Sequence, residues 1–313
     1  MPDTHQAFTF APAKRAGVGL FVGVAGGTGS GKTFSALRIA RGIAGPTGRI
    51  AAIDTEAKRM SHYAGRFDFD VTDMAPPFRP ERFAQAAADA EKAGYAVLVI
   101  DSMTHEWAGE GGVLDWHDEL KGDDERQNMR AWIKPKTAHK AMIGSLLQRR
   151  IPIVLCFRAE EKVKVGPGGK PEPQGWTPIG DSRFMFELTT MITLSNESPG
   201  IVSYKLPRKI QEQHLAFFPD GQPITERAGE QLAAWARGDD PVDKATALTD
   251  ALVALVNKTA TDEGLLEALT GETEEKQVAW LKAKRPDLLA RLNDAIAAKR
   301  VTLAGKTEDL GAA

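Results

Sequence analysis

The chain has 313 residues, of which 42% are apolar and 26% charged, with a formal net charge of −2 and one cysteine. That is the composition of an ordinary globular protein, long enough for one large core and a smaller appendage. Cys156 has no partner for an internal disulfide, no apolar run reaches membrane-spanning length, and the opening residues lack the apolar segment of a secretory signal, so a cytoplasmic protein with no membrane contact is expected.

A polar tail over 1–17 leads into Val18-Gly19-Leu20-Phe21-Val22-Gly23-Val24, a buried-strand run near 18–25. It is followed by Gly26-Gly27-Thr28-Gly29-Ser30-Gly31-Lys32-Thr33, a complete G-x-x-x-x-G-K-[ST] string, and then by a helical period that predicts a helix over 31–44. Each residue type has a physical task there. Gly26, Gly27, Gly29 and Gly31, with Thr28 and Ser30 between them, let successive N–H groups wrap the α- and β-phosphates. The helix start adds its positive end, Lys32 reaches the β- and γ-phosphates, and the Thr33 hydroxyl is placed to coordinate Mg²⁺. ATP and Mg²⁺ are therefore the expected ligands.

Further strands are predicted near 49–54, 67–72, 95–101, 151–158, 188–195 and 200–207, and helices over 80–93, 128–150 and 225–237. This alternation predicts an α/β fold with a mostly parallel central sheet flanked by helices. Residues 102–127 read as a Gly- and acid-rich connection. The breakers in Gly166-Pro167-Gly168-Gly169 and Pro171-Glu172-Pro173-Gln174-Gly175-Trp176 make 162–181 a long mobile loop or a loosened hairpin. Beyond Gly238-Asp239-Asp240-Pro241 a helical period predicts a small C-terminal helical appendage from about 242 to 301. The expected organisation is a flexible tail (1–17), a core (18–238) and a helical C-terminal region (239–313).

The strand Ala96-Val97-Leu98-Val99-Ile100-Asp101-Ser102 ends in a carboxylate, and in P-loop enzymes an acid at that point meets Mg²⁺ opposite the loop threonine. Thr33 and Asp101 are thus the expected metal residues. Serine rather than glutamate follows Asp101, so the base must come from elsewhere, and Glu56 at the end of Ile50-Ala51-Ala52-Ile53-Asp54-Thr55-Glu56 is the candidate. Its plainer role is to cap the strand or to pair with Lys58 or Arg59.

With these motifs the chain resembles the RecA-like recombinase and ATPase superfamily over about residues 18–210, which implies a RecA-like P-loop NTPase core. The resemblance implies a catalytic set of Lys32, Glu56, Asp101 and Arg158, in which Glu56 orients or deprotonates the attacking water. Arg158 would sense the γ-phosphate, beside Phe157 where the family usually places asparagine or glutamine. It also implies a homo-oligomer in which Lys205, Arg208 or Lys209 reaches a neighbour's site, and a DNA-contacting loop after Arg158. In that loop Lys162, Lys164, Lys170 and Trp176 offer phosphate neutralisation and a stacking ring, the ingredients of single-stranded DNA binding.

From Arg130 to Lys170 ten basic residues face two acidic ones, and Trp132 with Lys134, Lys136 and Lys140 extends the track. The plainer alternatives are a salt bridge for Arg158, a solvated rim for the late basic cluster, and a surface hairpin with Trp176 packed onto the core.

The chain is most similar to phage-encoded AAA-family (RecA-like) ATPases that accompany single-strand annealing, recombination or replication, which implies a recombination or replication protein partner. A GTPase is disfavoured, since the nearest match to Asn-Lys-x-Asp is Asn257-Lys258-Thr259-Ala260. The alternative to a DNA-acting ATPase is a nucleotide-switched assembly or scaffold ATPase that regulates a protein partner without DNA binding.

Overall fold

The computed structural model describes residues 12, 17, 19–166, 171–239, 244–284 and 286–310. The tail expected over 1–17 lies almost wholly outside them. The chain divides into two compact units, Met1–Asp239 and Asp240–Ala313.

In the first unit the order is β1 (Phe21–Gly26), α1 (Lys32–Ala44), β2 (Ile50–Asp54), β3 (Asp70–Asp73), α2 (Pro80–Lys92), β4 (Val97–Asp101), α3 (Thr104–Ala108), α4 (Val113–Lys121), α5 (Asn128–Ala131), α6 (Ile133–Leu147), β5 (Ile153–Val165), β6 (Pro171–Pro178), α7 (Ser182–Glu187), β7 (Thr190–Leu194), β8 (Arg208–Lys209) and α8 (Glu226–Arg237). One sheet runs β3-β2-β4-β5-β1-β7-β8, with β6 paired to β5 outside that path. All pairings are parallel except β5 with β6 and β7 with β8.

Strands β1, β2, β4 and β7 are buried at every residue, as expected for parallel strands covered on both faces, which read as unbroken apolar runs. Helix α1 lies close against α8 because two glycines permit it: a Cβ on Gly42 would fall 1.8 Å from the Glu226 carbonyl oxygen, and one on Gly229 would fall 2.0 Å from that of Ile39. Arg38 fixes the register of the pair through Nε, 3.0 Å from each Glu226 carboxylate oxygen.

Several predicted elements shift. The connection over 102–127 contains α3 and α4. The helix expected over 128–150 is divided at Trp132 into α5 and α6, and Pro135, which lacks an N–H, sits in the first turn of α6 where no helical bond is lost. Of the strand expected over 200–207, only a bridge between Ile201 and Pro223 forms, and the paired strand is β8. Pro207 has no ladder donor, and the Tyr204 N–H goes instead to Asp220. The 162–181 segment is a hairpin: β5 continues past the sheet and pairs with β6, with an irregular step between Lys162 and Val163.

The second unit consists of α9 (Lys244–Lys258), α10 (Asp262–Glu267), α11 (Glu272–Lys284) and α12 (Pro286–Leu310), packed around Leu252, Val256, Leu265, Leu281, Leu288 and Leu292.

Candidate active site

Strand register brings the predicted residues together. Gly26 lies opposite Arg158 in the β1–β5 pair, and Asp54 lies opposite Asp101 in the β2–β4 pair. The carboxyl ends of four neighbouring strands therefore deliver the phosphate loop, Glu56, Asp101 and Arg158 to one edge, where open α/β sheets bind their ligands. A cleft of about 420 Å³ there is lined by Lys32, Thr33, Glu56, Arg59, Asp101 and Arg158, with Thr28, Gly29 and Gly31 of the loop on one wall and His62 and Tyr63 on another.

The loop has the backbone a phosphate cradle requires. Gly29 and Gly31 sit in the left-handed region at φ 79° and 81°, and a Cβ on Gly31 would come within 2.9 Å of the Gly200 nitrogen. Gly31 caps α1 without a side-chain hydrogen bond, so the helix's first N–H groups are not consumed by a cap. Lys32 Nζ donates to the Gly27 carbonyl at 2.8 Å, and the Thr33 hydroxyl donates to Asp101 Oδ2 at 2.5 Å.

Asp101 is buried beneath this pair. Burial pushes its carboxyl up to about 6, helped by the Glu56 and Asp54 charges and opposed by the Thr33 bond and Lys32. A group whose folded-state pKa is raised stabilises the fold below its unfolded pKa, near 3.8, and that stabilisation is lost as pH rises through about 6. Asp101→Asn is therefore expected to be more stable than wild type by roughly 3 kcal/mol at pH 8 in chelator, with the difference vanishing below pH ~4. Urea unfolding at a series of pH values checks this, and a difference that does not vary with pH contradicts it.

Glu56 stands between two guanidinium groups. Arg158 donates to Oε1 from Nε at 2.8 Å and from Nη2 at 2.7 Å, while Arg59 Nη1 reaches Oε2 at 2.9 Å. Burial alone would raise this carboxyl, but the hydrogen bonds from Arg59 and Arg158 outweigh it and hold Glu56 below the usual range. Thr55 locks the neighbouring strand ends together: its hydroxyl donates to the Ser102 carbonyl at 3.1 Å and accepts from the Ser102 N–H at 2.7 Å, and His105 Nδ1 lies 2.6 Å from it. Burial, then the charge of Arg158, lowers the pKa of His105, leaving a neutral ring near neutral pH.

Other predicted residues lie elsewhere or are otherwise engaged. The Trp176 ring rests on the phosphate loop, its Cζ3 2.9 Å from where a Cβ on Gly27 would stand, and it packs against the main core. That face is covered rather than offered to a base. Lys162 is exposed on β5, 3.8 Å from Glu160 Oε1; the side chain of Lys164 and the whole of Lys170 lie outside the described residues. Trp132 stacks on His117 at 4.0 Å and carries Lys136 over its ring at 4.5 Å.

Arg208 lies over Tyr204 at 4.2 Å, and Lys209 Nζ donates to the Leu188 carbonyl at 2.5 Å. Among the described residues the Lys205 side chain makes no hydrogen bond or ion pair. Arg59, His62 and Tyr63 were not assigned to the site from sequence. They enter on a short 3-10 turn over Arg59–Tyr63, and the only sequence signal for it is an arginine three residues after Glu56.

A parallel α/β sheet with this loop, a strand-end carboxylate bonded to the loop threonine, and an acid across the cleft defines a P-loop ATPase. Residues 19–196 match the AAA domain family, and the chain belongs to it. Among solved structures it is similar to a KaiC-like protein from the hyperthermophilic archaeon Pyrococcus horikoshii OT3, at 18% identity over 57% of this chain and 72% of that one, with a TM-score of 0.31. No curated protein matches the sequence. The protein is a nucleotide-binding P-loop ATPase. Among the described residues no helix is long and apolar enough to cross a membrane.

Proposed function

We propose that the protein hydrolyses ATP with Mg²⁺ and uses the nucleotide state to control the β5–β6 hairpin on single-stranded DNA, in phage-type recombination or replication. Thr33 and Asp101 fit the ion: they present oxygen donors 2.5 Å apart, and the carboxylate is buried at a cost that a cation relieves. When bound there, Mg²⁺ would neutralise charge on the β- and γ-phosphate oxygens. Lys32 and Arg158 bind the phosphate chain. Glu56 orients a water whose oxygen attacks the γ-phosphorus. It takes the water's proton as the bond to the β,γ-bridging oxygen breaks and ADP leaves with that electron pair.

The observation that carries the coupling is the contact of Trp176 with Gly27: the hairpin rests on the loop that must close around phosphate. The lysines of the hairpin supply the affinity for a polyanion. ATP turnover is therefore expected to rise with single-stranded DNA, and replacing Lys162, Lys164 and Lys170 by alanine should flatten the plot of log K against log salt by up to about two units, at ~0.7 per lost contact. Trp176→Ala is expected to abolish the stimulation while leaving the slope intact, because the ring releases no counterion. Anisotropy of a labelled oligonucleotide across a salt series and phosphate-release assays check both.

We place assembly on the same footing: a homo-oligomer in which Lys205 is the best-disposed of the three late cations to reach a neighbour. Turnover unmoved by DNA would favour a second reading, a nucleotide-switched ATPase acting on a protein partner. Met129 and Ile133, 82% and 62% exposed and four residues apart on either side of the α5–α6 break, support that reading.

A further inference from the structure

The turn that follows β2 is built to hold a second cation beside Glu56. Asp54, 1% exposed, spends its carboxylate on this turn: Oδ1 accepts from the Glu56 N–H at 2.6 Å and Oδ2 from the Met60 N–H at 2.8 Å. Met60 is buried and anchors the far side. Between these anchors Ala57 and Lys58 adopt φ 57° and 66°, the only non-glycine residues in the left-handed region among those described. Strain of this kind persists only where the surroundings over-determine it, and it clusters at functional sites. Its result here is to place Glu56 and Arg59 side by side on the wall of the cleft, facing Lys32 and Thr33.

We propose that Arg59 is a catalytic residue acting in cis, its guanidinium leaving Glu56 to bind the γ-phosphoryl group of ATP in the same subunit. Arg59 has Glu56 as its ion-pair partner among the described residues, and its side chain is 63% exposed, so it is free to swing. A γ-phosphoryl group carries more charge than a carboxylate and competes for the same planar donor.

The exchange has a chemical consequence. With both arginines attached, Glu56 is a weak base; with Arg59 transferred, its basicity recovers while the positive charge moves to where negative charge develops in the transition state. Water oxygen bonds to the γ-phosphorus, the bond to the bridging oxygen breaks, ADP departs with the electron pair, and the proton passes to Glu56. This assignment rests on the reading of Glu56 as base, but its test separates the two.

The test uses the full chain with ADP and with ADP plus aluminium fluoride as probes. Arg59→Ala should lower kcat by a hundredfold or more, as for loss of one transition-state donor, while ADP affinity stays within about twofold of wild type. Arg59→Lys should recover part of the loss, because a point charge replaces only part of the fork. The decisive variant is Arg59→Ala combined with Glu56→Gln. If Arg59 touches the γ-position, the double variant binds ADP plus aluminium fluoride at least tenfold more weakly than Glu56→Gln alone. Equal affinity would show that Arg59 acts only through Glu56 and would overturn the proposal.

Mixing gives an independent readout. Active subunits diluted with Arg59→Ala subunits should show a rate linear in the active fraction, whereas curvature would place this arginine in trans and reject it. Wild-type turnover in Glu56→Gln would sink the base assignment but leave the affinity comparison for Arg59 readable.

Discussion

Lys32→Ala is expected to reduce ATP turnover by two to three orders of magnitude, about the cost of removing one preorganised donor from a developing anion. The ammonium rests on the Gly27 carbonyl at 2.8 Å, inside the loop whose N–H groups face the phosphates, so it has only a short distance to move to reach the β- and γ-oxygens. Those contacts tighten as charge shifts toward the bridging oxygen, so the loss should fall on kcat as well as on nucleotide affinity. The fold should survive, since Lys32 starts α1 on the edge of the cleft and the helix is held by Gly42 against α8. Phosphate release measured beside a thermal melt tests both halves. A purified, folded variant with wild-type turnover would remove this cleft from the chemistry.

What was legible in the sequence was what is local. The phosphate loop depends on glycine spacing within eight residues, and the strand ends at Asp54 and Asp101 follow apolar runs that can only be central parallel strands. That the two strands are neighbours, in a register that sets Asp54 opposite Asp101, is seen only in the structure. The parts that were not legible depend on contacts across the chain. The glycine and proline around Trp176 leave both a stacking ring and a packed tryptophan open; only the course of β5 beyond the sheet, with its antiparallel partner, sets the indole against Gly27. The strand expected over 200–207 has apolar alternation but no neighbour to complete its ladder, and Tyr204 spends its N–H on Asp220.

Arg59 and Arg158 are a hundred residues apart in sequence, and nothing local says that both bind one carboxylate. Of the late basic cluster, Arg208 and Lys209 are tied into their own subunit, a distinction that charge counting cannot make.

Glu56→Gln is expected to keep ATP bound and lower kcat by about 10²–10⁴, the usual contribution of a positioned general base. Glutamine keeps the shape and can still accept one guanidinium hydrogen bond, but it cannot take a proton. Of the competing acids Asp54, Glu106 and Glu110, Glu110 is exposed and does not line the cleft, and the other two are constrained. Asp54 is saturated by the Glu56 and Met60 N–H groups, and Glu106 is buried at 1% exposure with its carboxylate 2.9 Å from His139 Nδ1. Burial, only partly offset by His139, raises the pKa of Glu106, but no geometry aims that proton at the cleft. Glu56 alone combines a cleft-lining position with a carboxylate held ionised by two cations.

In the resting site the two guanidinium groups hold Glu56 below the ordinary glutamate range, so it is ionised and able to accept a proton across the neutral range. Measuring kcat from pH 4 to 8 in wild type, Glu56→Gln and Asp101→Asn separates the two acids. The Glu56→Gln rate should stay low at every pH, whereas Asp101→Asn should in addition weaken the Mg²⁺ dependence of nucleotide binding. Turnover in Glu56→Gln equal to wild type at pH 8 would move the base to another group.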